Sequence, residues 1–89
     1  MTADEVLKRV EQAARMRQFM IRNHAWLRMN QRGVTEADVR SAMMSAKNAA
    51  WDGSKETWRM TGGTDLDEVE LVVCVAVSWT VAVVTVFWE

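Results

Sequence analysis

Residues 71–88, LVVCVAVSWTVAVVTVFW, run for 18 positions without a charge, and any fold for this chain has to hide them. A run of that length spans a bilayer if it is helical. Its composition argues for strands instead: valine dominates, threonine is present and there is one leucine, a mixture that suits a pleated surface. Ser78-Trp79-Thr80 divides it into two strand-sized halves, and Asp67, Glu68 and Glu70 precede it where a spanning segment carries basic anchors. The expectation is a hairpin of Val69 to Val77 with Val81 to Trp88. Val69, Leu71, Val73, Val75 and Val77 then share one face, and Val72, Cys74 and Ala76 the other. Both faces are apolar and both need cover. Helices supply some of it, and a partner protein or a second copy of the chain, as a homodimer, is an equally physical cover for the rest. Cys74 reads as a small buried hydrophobe.

Helical signals occupy the first half. Thr2 and Glu5 form a capping-box pattern, followed by Val6, Leu7, Val10, Ala14 and Met20 at helical spacing, which predicts a helix from Ala3 to about Ile21. A second helix runs from His24 to Gln31 and stops at Gly33 in a left-handed cap. Thr35, with Glu36 and Asp38 in the next turn, starts a third that reaches about Lys47 and buries Val39, Ala42 and Met43. AAWDGSKE then reads as a turn, TWRMT as a short strand ending at Gly62-Gly63, and TDLDE as a second turn. The expected architecture is α+β: N-terminal helices, at about residues 3–47, packed on a C-terminal antiparallel sheet of about three strands, at about residues 57–88. With 89 residues the chain is read as one domain, 1–89, whose core is moderate in size.

Charge is unevenly spread. The net value is −1, yet residues 1–33 carry +4, residues 34–50 balance and residues 51–89 carry −5. Only the N-terminal third attracts a polyanion, and any nucleic-acid binding depends on a local patch. The single cysteine rules out an intrachain disulfide and points to a reducing compartment such as a bacterial cytoplasm. The opening MTADEVLKR is acidic and amphipathic, unlike a signal peptide. One histidine and scattered carboxylates lack metal-ligand spacing, and Gly62-Gly63 lacks the lysine and helix of a phosphate loop, so neither metal nor cofactor is expected.

One stretch carries candidate chemistry. In HAWLRMNQRG, residues 24–33, a helix places His24, Arg28 and Arg32 within roughly 80° of arc, with Gln31 close by. Metal-free RNA cleavage needs a proton acceptor for the 2′-hydroxyl, positive charge on the phosphate and an acid for the leaving oxygen. A histidine side chain ordinarily titrates near neutrality, which suits His24 to either proton step, and arginines grip phosphate in a bidentate fashion. The plain alternative is scaffold: a histidine that closes a helix start, and arginines paired with Glu36 or Asp38. Trp26, Trp51, Trp58, Trp79 and Trp88 are stacking platforms for bases or, given their scatter over every element, packing residues.

HAWLRMNQRGVTEADV resembles the His-Ala-x-x-Arg-Met-x-x-Arg-Gly-Val/Ile-x-x-x-Asp-Val signature of a family of short bacterial domains that are themselves similar to BrnT and RelE-like toxins. WRMTGG, an acidic turn, an apolar strand and AVVTVFW follow in the order seen in those domains. The likeness spans residues 24–88, about three quarters of the chain. It implies a compact toxin-like fold, a DNA-binding antitoxin as partner, and metal-independent cleavage of RNA. His24, Arg28 and Arg32 are the implied catalytic residues, with Arg59 as a looser match; Arg22, Gln31 and Trp58 join Arg59 as candidate RNA-binding residues. RelE-like toxins often carry Tyr or His at the last strand, where this chain has Phe87 and Trp88 and no tyrosine at all. The alternative is a noncatalytic module that binds a protein partner through the apolar sheet face.

Overall fold

The computed structural model describes residues 1–88. Its elements are α1 (Ala3–Arg15), β1 (Phe19–Ile21), α2 (Asn23–Arg32), α3 (Glu36–Ser45), β2 (Asn48–Asp52), β3 (Thr57–Thr61), β4 (Leu71–Val77) and β5 (Val81–Trp88). The fold is α+β, with a five-stranded sheet in the order β1-β5-β4-β3-β2. Every neighbour pair is antiparallel except β1 with β5, which is parallel, so the sheet is mixed and has five strands rather than about three.

Both extra strands come from segments whose sequence pattern suggested something else. The first helix stops at Arg15 rather than near Ile21. It does so through a backbone motif that needs no glycine: Arg17 takes φ 56°, its N–H donates to the Ala14 carbonyl, and the Gln18 N–H donates back to Ala13 at 2.8 Å. The chain then enters β1, where Phe19 and Ile21 pack on the core and Met20 faces outward. AAWDGSKE is a turn only from Gly53 onward; Ala49 to Asp52 extend β2, paired with β3 from Asn48↔Thr61 to Asp52↔Thr57. The third helix ends at Ser45, and β4 starts at Leu71, leaving Val69 exposed in the preceding loop.

The capping signals hold as read. Thr2 with Glu5 and Thr35 with Asp38 both form reciprocal capping boxes, and Gly33 closes α2 at φ 68°. Val6 and Val10 of α1, Ala25 and Met29 of α2, and Val39 and Met43 of α3 meet Met60 and the inward side chains of the hairpin in one core. Those hairpin residues are Leu71, Val73, Val75, Val81, Val83 and Val86. At about 2 kcal/mol of burial each, they outweigh a helix cap of about 1 kcal/mol; hairpin burial decides where the helices sit.

The inward set on β5 skips from Val83 to Val86. A bulge explains the skip: Cys74 pairs with Thr85 and Val75 with Val83, leaving Val84 as the extra residue. Val84 therefore shifts the phase of the strand, and Thr85 and Phe87 turn to the face away from the helices. Gly63, two residues past β3, lets the chain pass tightly against α3, since a Cβ there would lie 2.1 Å from the Ala42 carbonyl oxygen. No helix among the described residues is long and apolar enough to cross a membrane.

Candidate functional site

The sheet face away from the helices carries a groove of about 750 Å³. Its floor is built by strand alternation: Ala50 and Asp52 from β2, Thr57 and Arg59 from β3, Cys74 from β4, and Thr85 and Phe87 from β5. The bulge residue Val84 joins them, and Trp51 and Gly53 line the β2 end. Arg22 enters from the start of α2, and Lys55 from the turn between β2 and β3. Three cations from separate parts of the chain thus converge, with one carboxylate among them.

Local geometry fixes each cation. The Arg22 N–H donates to the Val83 carbonyl at 3.0 Å, which pins the α2 start beside β5. The Arg59 guanidinium carbon lies 5.1 Å from the Phe87 ring centroid, a cation–π contact that lays the guanidinium along the floor. Lys55 sits in a turn organised by Asp52, whose Oδ1 accepts from the Ser54 hydroxyl at 2.7 Å and from the Ser54 N–H at 3.1 Å. The Ser54 hydroxyl, helped by the N–H groups of Lys55 and Ser54 and by the Lys55 charge, holds the Asp52 carboxyl below its usual range against the opposing effect of desolvation. The carboxylate is therefore ionised and spent on the turn. Cys74 is half-buried in the floor rather than fully buried. Burial pushes its thiol up, while the fields of Arg59 and Lys55 pull it the other way.

Of the seven residues singled out from the sequence, the groove gathers Arg22 and Arg59. Trp58 faces the helices, half-buried against the core and tilted on Trp51 with ring centroids 5.3 Å apart. His24 is exposed on the first turn of α2. Arg28 donates to Gln31 Oε1 at 3.3 Å on its own helix. Arg32 donates to the Val86 carbonyl, tying the end of α2 to β5. Asp38 accepts the Thr35 N–H on one oxygen and the Leu66 N–H on the other.

Lys55 escapes sequence reasoning because a lone lysine beside Gly53 in a turn carries no pattern. Its only signal is that the turn falls opposite TWRMT, which places it near Arg59 once β2 pairs with β3. No group of three or more His, Cys, Asp and Glu among the described residues can hold a metal ion. Comparison with protein-family models, with curated proteins and with solved structures finds no match for this chain.

Proposed function

We propose that this protein acts on RNA as the toxin half of a toxin–antitoxin pair, and that the strand lies in the groove on the open sheet face. The observation that carries the reading is the convergence of Arg22, Lys55 and Arg59 on one concave surface. In a chain whose overall charge is −1, this local field is what draws a polyanion. The two guanidiniums engage phosphate oxygens in forked hydrogen bonds, and the lysine adds a point charge. Thr85 offers a hydroxyl within the same groove, and the half-exposed Trp51 lines its β2 end.

In the cleavage step the groove cations stabilise the phosphate as negative charge builds on it. Arg28 and Arg32 are already engaged within the chain, so the groove pair takes over the phosphate-binding role that the resemblance assigns to them. His24, two residues beyond Arg22, takes the proton of the 2′-hydroxyl as that oxygen bonds to phosphorus, and water protonates the 5′-oxygen as its bond to phosphorus breaks. The test is incubation of the purified protein with single-stranded RNA, followed by analysis for 2′,3′-cyclic phosphate ends. The wild type produces cyclic ends, and Arg22→Ala with Arg59→Ala together lowers the rate at least tenfold. Undiminished cleavage by that double variant overturns the groove assignment.

A second reading, a noncatalytic module that docks a protein on this face, draws on Met20, 57% exposed on β1. It expects a dimeric or aggregation-prone protein that is inert toward RNA.

A further inference from the structure

Trp79 is 96% exposed, far more than any other tryptophan of the chain. An indole left almost wholly in water gives no packing stability, yet its backbone is held firmly. The Ser78 N–H donates to the Thr80 carbonyl at 3.0 Å, closing the turn between β4 and β5. From α1, Arg9 Nη2 donates to the Trp79 carbonyl at 2.8 Å and Nη1 to the Ser78 carbonyl at 3.3 Å. The turn is braced by a cation whose charge remains at the surface beside the ring.

The groove leads toward this turn. A second hollow of about 410 Å³ shares Arg22, Trp51, Lys55 and Thr57 with the groove and continues past Glu56, Ala76 and Val77 to Ser78, the residue before Trp79. The path from Arg59 to Ser78 is thus continuous in its lining, with Arg22 and Lys55 beside one carboxylate, Glu56; Trp79 is the next residue of the turn and lines the neighbouring hollow with Arg9 and Gln12.

We propose that Trp79 is a base-stacking platform at the far end of the RNA site, so that the site takes a strand longer than the groove alone can hold. This rests on the groove being the RNA site. A base leaving the hollow stacks on the indole, and Arg9 neutralises the adjoining phosphate. Because the turn is already ordered, stacking costs little further ordering of the protein.

The test is fluorescence anisotropy with labelled oligoadenylates of about three and about ten nucleotides, chosen to fall below and within the usual size range of single-strand sites. Wild-type protein binds the longer oligomer more tightly. Trp79→Ala matches wild type on the short oligomer and loses about tenfold on the long one, while Trp79→Phe keeps most of that affinity. If Trp79→Ala equals wild type at both lengths, or weakens both equally, the platform is overturned and the groove reading stands. If wild type binds neither oligomer, the groove reading fails and the platform with it.

Discussion

Asp65 shows how a residue inside an unremarkable acidic turn can hold a distant part of the fold. It is 7% exposed, and its Oδ1 accepts the N–H groups of Asp67 and Val69, each at 2.9 Å. Its other oxygen accepts from the Trp88 indole at 3.1 Å, joining the loop to the last residue of β5. Asp65→Ala removes the shared acceptor of three donors whose own residues reach solvent, and urea unfolding should show a loss of about 2 kcal/mol. Asp65→Asn keeps an acceptor oxygen and should cost less; equal stability of all three proteins would contradict this role. In the sequence, Asp65 is one acid among several, because what distinguishes it is a partner 23 positions away. Arg40 is similar: its Nε donates to the Ala14 carbonyl at 2.7 Å, closing the end of α1 from α3. His24, Arg28 and Arg32 stand out for the opposite reason, since helical spacing makes a local stripe conspicuous whether or not a ligand uses it.

At the scale of elements, local signals were readable and pairing signals were not. The box at Thr2, the helix start at Thr35 and the cap at Gly33 depend on neighbours within a turn, and all three were legible; that Thr35 and Asp38 close a reciprocal box emerges from the structure. β1 and β2 depend on long-range partners. Phe19 and Ile21 fitted a helical window as well as a strand, and Asn48-Ala49-Ala50 has low strand propensity that pairing with β3 overrides. The α3 box also carries a pH prediction. The Thr35 N–H chiefly, with help from Leu66 and against the pull of desolvation, lowers the Asp38 pKa from 3.8. A lowered folded pKa means that ionised Asp38 stabilises the fold above its unfolded value, and that this contribution is lost as the pH falls through the folded value. Asp38→Asn, which keeps an acceptor oxygen and removes the charge, should therefore cost about 0.5 kcal/mol at pH 7, a small figure because the carboxylate is partly exposed and screened by solvent. The gap between the variant and wild type in urea midpoints should narrow below about pH 4, where free aspartate protonates. A gap that stays constant down to about pH 2 would show that the box does not draw on the carboxylate.

The whole molecule separates its two jobs by face. Helices take one side of the sheet and build the core, while the bulge at Val84 turns Thr85 and Phe87 to the other side, where cations gather over them. The expectation of two apolar faces came from the hairpin alone; Arg59 on β3 and Lys55 beyond β2 make the second face cationic, and they join it only through strand pairing. The central claim is that this groove, not the stripe on α2, is where RNA binds. The most direct measurement is the affinity of the protein for single-stranded RNA across a salt series, for wild type, Arg22→Ala with Arg59→Ala, and Arg28→Ala. The groove pair should weaken binding at least tenfold and flatten the slope of log affinity against log salt by about 0.7 for each phosphate that the variant no longer neutralises, while Arg28→Ala should match wild type. Weakened binding by Arg28→Ala with the groove pair unaffected would contradict the account and return the site to the stripe.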